Sequence, residues 1–498
     1  MTDSGLAEKR VGLTPAQKAL LEKRLKGKPT TAERPTRPQE LIVDINQQLS
    51  PYPLRAFQRR GLQAAQSSGQ LPWFFLESET AELDGDRFAD CMATLIERHG
   101  ALRTTLISAE RSSSTQEPLA RAGSAFWRPV CWDLREHSKA ETEHALAEIR
   151  ATFRQPQQGL EQPALSMELV RLGEQRWRLF FGVNLLLLDL LSIEFLALQC
   201  RQLYEGRRAL HDMASYSFRD YVMTELAFQN DSPAFSKARD YWAQRLPRLP
   251  APLNAGDFPG GETASGLLPG DYHYQLERLP ASRWKALKQW AANQKLTGSM
   301  VVYALYRLSL AAFSQRRDFS LEVRLFNRIG FDQRVNDVPG QYSVGLLNWI
   351  DADSTSDLLE YCRRTEAQTW RDLDHGYFDV ASHRQLEGPV DPPTVVFTST
   401  ISRYEEFVEE GAVPPMKWFG TSVETLACTP QQTLELLIVE NAGELELHWF
   451  CNHTVIPPRI STGIIEQVQS SLLRFASDPA QISLTKLDEL EMEPEDVR

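Results

Sequence analysis

One stretch limits what this chain can fold into more than any other. Asn184-Leu-Leu-Leu-Leu-Asp189-Leu-Leu-Ser192 sets a carboxylate in a wall of leucine, between a strand-like and a helix-like apolar run. An ionised Asp189 in such surroundings loses several kcal/mol of hydration unless a cation or hydrogen-bond donors meet it. The fold must therefore bring a partner from elsewhere to this strand end, for a structural pairing or for chemistry.

The flanking patterns place that segment. Trp177–Val183 reads as a strand, and Ser192 can cap the following helix, where Leu196, Cys200 and Leu203 fall at helical spacing. Upstream, Leu71–Leu76 reads as a strand and Arg87–His99 as a helix with Phe88, Met92 and Leu95 on one face. A second block repeats the mixture. Ser282 is expected to cap an amphipathic helix through Trp284, Leu287 and Ala291, and Met300–Phe313, apolar nearly all round, predicts a buried helix. Phe319–Phe326, Thr394–Ser399, Leu434–Val439 and Leu445–Phe450 read as strands, and Thr462–Phe475 as a helix. These are two α/β halves of similar size. At 498 residues the chain is too long for one ordinary core. The expected division is a linker or docking segment at 1–45, lobes at 46–250 and 251–485, and an acidic tail at 486–498. The Pro/Gly-rich stretch 247–270 joins the lobes. Within the first segment, Thr14-Pro-Ala-Gln17 has the form of a capping box opening a short helix.

Several function classes lose their usual signals. A net charge of −12 and the lack of a long basic run argue against nucleic-acid binding. The six cysteines are scattered without metal-ligand spacing, as expected for reduced thiols in a cytoplasm, and no metal site is expected. The N-terminus has no apolar signal core, and Leu185–Leu198 is too short and too interrupted to span a bilayer. No GxSxG, Walker loop, GxGxxG or HExxH occurs. The eleven tryptophans read as packing rather than as a ligand box.

A set of motifs taken in order resembles the heterocyclization domains, the cyclization variants of nonribosomal peptide synthetase condensation domains. These are Tyr52-Pro-Leu, Arg98-His-Gly-Ala-Leu-Arg-Thr104, Phe218-Arg-Asp-Tyr-Val222, Leu325-Phe-Asn-Arg328, Asp372-Leu-Asp-His375, Val396-Phe-Thr-Ser399 and Thr429-Pro-Gln431. The resemblance covers about residues 50–480. It implies an α/β fold of two chloramphenicol-acetyltransferase-like lobes in a V-shaped pseudo-dimer with a central tunnel. It also implies no bound cofactor of the domain's own. Substrates would arrive on the phosphopantetheine of carrier proteins, from neighbouring synthetase or polyketide synthase modules, with no nucleic acid or membrane as partner.

The resemblance also distributes roles. Where condensation domains carry HHxxxDG and heterocyclization domains DxxxxDxxS, this chain has Asn184, Asp189 and Ser192, with Leu185 at the second histidine position. Asp189 resembles the structural member of the pair, with Arg328 as its expected partner and Ser192 beside it. Asn184 keeps the shape of aspartate but cannot act as a base, and is expected to orient groups in the site. Closing a ring requires a hydroxyl donor and a carboxylate to move protons. The family's residues for that step resemble Thr398 and Glu435, with Thr429 and Gln431 as secondary candidates. Glu435 replaces an aspartate and reaches about 1 Å further, a displacement that can cost on the order of 100-fold if nothing compensates. The usual Asn-Trp-Asp nearby reads His448-Trp449-Phe450. The implied activity is joining a carrier-bound acyl or aminoacyl thioester to carrier-bound Cys, Ser or Thr, then cyclodehydration to thiazoline or oxazoline. The alternatives are a degenerate domain that only condenses, or a non-catalytic scaffold for carrier proteins. A third reading, an acyltransferase using His375 in His375-Gly-Tyr-Phe-Asp379, rests on spacing alone.

Overall fold

Gly298–Ser314 forms a helix buried along nearly its whole length, and the second lobe is built around it. Val301, Val302, Leu305, Leu308 and Phe313 are each at most 3% exposed. A helix apolar on every side must be covered on every side. The cover comes from the helices Leu358–Asp374 and Pro458–Ser477 and from one face of a six-stranded sheet. The helix's single charge, Arg307, is buried but satisfied. It donates to the Tyr361 hydroxyl at 3.1 Å and to the carbonyls of Phe319 at 3.2 Å and Asn348 at 3.4 Å.

The computed structural model describes residues 40–490 apart from 82, 108–118, 156–159, 208–215, 263–271, 315, 333, 352–354, 388–392, 402–414 and 430–431. The expected helix at Thr14, nearly all of the 1–45 segment and most of the acidic tail lie outside the described residues. At the inner end of that tail, Leu487 and Leu490 are buried in the second core.

The six-stranded sheet runs Ser343–Asn348, Leu321–Phe326, Val395–Ser399, Leu434–Asn441, Glu444–Asn452, Tyr272–Leu279. Val395–Ser399 is parallel to both neighbours and the other pairings are antiparallel. Side chains alternate across a strand. Val323, Val395, Phe397, Leu434, Leu436 and Leu447 therefore face the helices, in the second core. The intervening Glu322, Arg324, Val396, Thr398, Glu435, Leu437 and Phe450 face the first lobe.

That lobe carries a five-stranded sheet in the order Thr421–Cys428, Trp73–Thr80, Trp177–Asn184, Leu165–Arg171, Val130–Asp133, and a small three-stranded sheet. Its first strand comes from within the expected second lobe. Thr421–Cys428 pairs antiparallel with Trp73–Thr80, from Thr421 opposite Glu79 to Cys428 opposite Trp73. Val335, Tyr342, Leu346 and Phe419 likewise join the first core. The chain thus crosses back after residue 250, and the crossing strand pairs an edge that would otherwise expose its backbone donors and acceptors.

Two expected caps are corrected. Asp189, not Ser192, is the N-cap of Leu190–Tyr204, its carboxylate accepting from the Ser192 amide at 2.7 Å. The helix Ala281–Asn293 starts before Ser282, with Pro280 at the cap position and no side-chain cap bond. The linker 247–270 is also more than a tether where it is described, since Leu253 and Phe258 are at most 2% exposed in the second core.

Candidate active site between the lobes

Asn184 ends the strand Trp177–Asn184 and turns the chain. Its Oδ1 accepts from the Leu186 amide at 3.0 Å, and its carbonyl accepts from the amides of Leu187 at 3.0 Å and Leu188 at 3.1 Å. Leu186, Leu187 and Leu188 are buried in the first core, and the turn is pinned by Gln58, which donates to the Leu186 carbonyl at 2.8 Å. The Oδ1 of Asn184 is committed to this turn, while its Nδ2 is buried without a hydrogen-bond partner among the described residues. The side chain is fully buried and does not line the cavity described below. Asn184, expected among the catalytic residues, stands at the turn that delivers Asp189 and off the cavity wall.

Asp189 sits at the junction of three segments. Its Oδ1 accepts from Ser192 N and, at 3.2 Å, from Arg328 Nη2, and its Oδ2 accepts from Tyr342 N at 3.0 Å. The side chains of Asp189 and Arg328 are at most 1% exposed. Arg328 also donates to Ser192 Oγ at 2.7 Å and to the carbonyls of Val335 at 3.2 Å and Val338 at 3.0 Å, and its guanidinium lies 3.8 Å over the Tyr342 ring. Ser192 Oγ donates to the Gly340 carbonyl at 2.7 Å. Gly340 is required there, because a Cβ would fall 2.1 Å from the Phe218 ring. With its charge and hydrogen bonds met in this way, Asp189 joins the lobes rather than offering a free base.

Thr398 and Glu435 meet on the sheet face that looks at the first lobe. The register sets Val396 opposite Glu435 and Thr398 opposite Leu437, so Glu435 lies diagonally from Thr398. Thr398 Oγ1 donates to Glu435 Oε1 at 2.5 Å. The second oxygen, Oε2, accepts from Gln432 Nε2. Arg324 Nη1 lies 3.5 Å from Glu435 Oε1, and Arg324 Nη1 and Nη2 each donate to Gln432 Oε1 at 3.3 Å. On the same strand as Arg324, Glu322 is 1% exposed and paired with Arg60 Nη2 at 2.8 Å, from the first lobe's helix Ala56–Ser68. Burial works to raise the Glu322 carboxyl, but the Arg60 and Arg324 guanidiniums outweigh it and hold the group below its ordinary range.

These groups line a cavity of about 140 Å³ between the lobes. The first lobe contributes Phe57, Arg60, Leu185, Asp189 and Ile193, and the second contributes Arg324, Thr398, Thr429, Gln432, Glu435 and Phe450. Leu185, at the second histidine position of the family pattern, faces the cavity, and no histidine is among the lining residues. Of the secondary candidates, Thr429 lines the cavity, whereas Gln431 lies outside the described residues. Sequence reading missed Arg324, Gln432, Arg60 and Glu322. The strand alternation that places Thr398 and Glu435 on one face also selects Glu322 and Arg324, but only strand order reveals that they stand together.

His375 is elsewhere. It stacks on Tyr241 at 3.9 Å, its Nδ1 contacts the Arg371 carbonyl at 2.8 Å, and Asp379 instead caps the next helix through Ser382 N at 3.0 Å. Among the described residues no cluster of His, Cys, Asp and Glu is arranged to hold a metal, and no single helix is long and apolar enough to cross a membrane.

The family profile for the condensation domain matches residues 48–481. Pyochelin synthetase PchF of Pseudomonas aeruginosa is 26% identical over 494 residues, which cover 96% of this chain and 25% of the synthetase. Phenyloxazoline synthase MbtB of Mycobacterium tuberculosis is 25% identical over 447 residues, 87% of this chain and 30% of that protein. The chain thus spans about a quarter of the length of PchF and slightly more of MbtB. Among solved structures, the EpoB cyclization-docking bidomain from Sorangium cellulosum matches with a TM-score of 0.78 at 24% identity, over 94% of this chain and 92% of that one. These likenesses give the fold as a pair of chloramphenicol-acetyltransferase-like α/β lobes.

Proposed function

The chain belongs to the condensation-domain family, and from that premise we propose that it is a heterocyclization domain. It joins a carrier-bound acyl or aminoacyl thioester to carrier-bound Cys, Ser or Thr, and closes the product to a thiazoline or oxazoline. Carrier proteins of neighbouring synthetase or polyketide synthase modules supply both substrates on phosphopantetheine. The names of the relatives, one of them a phenyloxazoline synthase, support this direction. The observation that carries the reading is the 2.5 Å hydrogen bond from Thr398 Oγ1 to Glu435 Oε1 inside a cavity lined by both lobes.

With no imidazole on the cavity wall, amide formation draws on holding the two thioesters together, which supplies much of a bimolecular barrier. The acceptor's thiol or hydroxyl then attacks the new amide carbonyl carbon. A C–S or C–O bond forms, and the carbonyl oxygen takes the displaced proton to become a hydroxyl. Thr398, whose one hydroxyl proton rests on Glu435 Oε1, can donate to that oxygen by turning from the carboxylate as charge develops. In the second half the amide N–H proton passes to Glu435 as the C=N bond forms, and through the Thr398–Glu435 hydrogen bond a proton reaches the departing oxygen, so that the C–OH bond breaks and water leaves.

A second reading, condensation alone or carrier scaffolding, draws on one feature: both oxygens of Glu435 are engaged within the protein. Reconstitution with two loaded carrier proteins separates the two. A product lighter than the linear amide by one water supports heterocyclization. Linear amide alone removes it, and ring formation unchanged in Thr398→Ala and Glu435→Gln removes those two residues from the chemistry.

A further inference from the structure

We infer that Arg324 and Gln432 are positioning residues that set where the Glu435 carboxylate sits. The inference rests on the reading of Glu435 as the group that moves protons in ring closure. It names two residues, neither of them among the motif positions that carry the family resemblance, on which that group depends.

The argument begins with freedom of movement. Glu435 has one more rotatable bond than an aspartate, and an unrestrained carboxylate would spend much of its time away from Thr398. Here the side chain is closed into a ring of contacts. Thr398 donates to one oxygen, Gln432 donates to the other, and Arg324 donates to the oxygen of Gln432 through both terminal nitrogens while lying 3.5 Å from Glu435. Gln432, 8% exposed, lies on the approach to the strand Leu434–Asn441, so its amide reaches Glu435 from the same segment. Arg324 comes from a different strand, one place beyond that of Thr398 and in register with it. The longer carboxylate is thus fixed from two directions.

The second part is charge. The Arg324 guanidinium, 3.5 Å from Glu435 Oε1, attracts the carboxylate towards it as well as steadying Gln432. Arg324 has a rival claim, because Glu322 Oε1 lies 3.5 Å from its Nε. Arg60, reaching over from the first lobe, bonds that same oxygen at 2.8 Å, which leaves the far end of Arg324 turned to Gln432 and Glu435. Phe57 fills the space between, with its ring 5.0 Å from the Arg60 guanidinium and 5.4 Å from that of Arg324.

The test follows two signals in the intact chain at a single pH: the 13C carboxylate signal of Glu435 in glutamate-labelled protein, assigned by comparison with Glu435→Gln, and the ratio of ring-closed to linear product. Arg324→Gln should broaden or displace the Glu435 signal and lower the ring-to-linear ratio by on the order of 100-fold, with total product little changed. Arg324→Lys, which keeps the charge but cannot bridge, should restore only part of that ratio. Gln432→Leu should lower the ratio by a similar factor. An unmoved Glu435 signal and an unmoved ratio in Arg324→Gln would overturn the proposal. So would an equal loss of both products in all three variants, the mark of a merely structural role. Absence of ring product from the unsubstituted chain would count against heterocyclization itself, while the Glu435 signal still decides for or against Arg324.

Discussion

Replacing Asp189 with leucine should cost about 3–5 kcal/mol of folding stability, because it strands the Arg328 guanidinium at a site where both side chains are at most 1% exposed. Loss of the helix cap at Ser192 N adds about 1 kcal/mol. Against a total stability on the order of 5–15 kcal/mol this is a severe lesion. The informative experiment is the double-mutant cycle. Arg328→Met alone leaves a buried carboxylate unpaired, whereas Asp189→Leu with Arg328→Met removes both charges and leaves mainly the Tyr342 amide and the Val335 and Val338 carbonyls to be satisfied, about 1–3 kcal/mol. The double variant should therefore be more stable than either single one, which requires a coupling energy larger than either single loss, about 4–6 kcal/mol or more. Urea unfolding followed by tryptophan fluorescence at pH 7 measures all four corners. Strictly additive losses would refute the buried-pair argument. An Asp189→Asn variant of native stability but without turnover would show that the carboxylate acts on substrate instead.

Thr398→Ala should lower ring closure by about 10²–10³-fold while linear amide accumulates, read by mass spectrometry of the carrier-bound product. Glu435→Asp, although it restores the residue usual in the resembled family, should lose on the order of 100-fold, because the shorter arm leaves the Gln432 and Thr398 contacts unmade. Leu185→Trp should block the cavity and depress linear and ring products together; undiminished yields would place the chemistry elsewhere. Burial pulls the His99 imidazole down from 6.5 to about 4, with its Nε2 2.9 Å from Gln199 Oε1. The folded state resists that protonation, so stability is full above pH 6.5 and falls by about 3 kcal/mol as pH drops to 4. His99→Gln should flatten this part of the stability–pH curve relative to the unsubstituted chain.

Periodicity alone located part of each lobe, but not helices such as Ala56–Ser68 and Leu358–Asp374 or the strands Leu165–Arg171, Ser343–Asn348 and Thr421–Cys428. Met300–Phe313 is apolar at every turn, which leaves only a buried helix, and the structure extends it to Gly298–Ser314. The Asp189–Arg328 contact was also legible: the leucine-embedded carboxylate demands a partner, and the family resemblance pointed to the arginine of Leu325-Phe-Asn-Arg328. Ser192 was misread as the cap because serine caps are common, whereas Asp189 three residues earlier has the stronger acceptor and the extended backbone the position needs. That Asn184 stands off the cavity wall was not legible, because a motif position does not tell which way a side chain turns at a strand end.

What the amino-acid order determined by itself is local: which stretches are strands and helices, which face of each is apolar, and that residue 189 requires a partner. Which polar groups meet across those faces was decided only in three dimensions. Thr421–Cys428 leaves its own half to complete the other lobe's sheet, Arg60 reaches Glu322 over 262 positions of sequence, and Arg324 stands beside Glu435 through a register spanning three strands. The physical reason is that burial pattern repeats with the period of a single element, while the contacts of a buried charge depend on how distant elements are ordered and aligned.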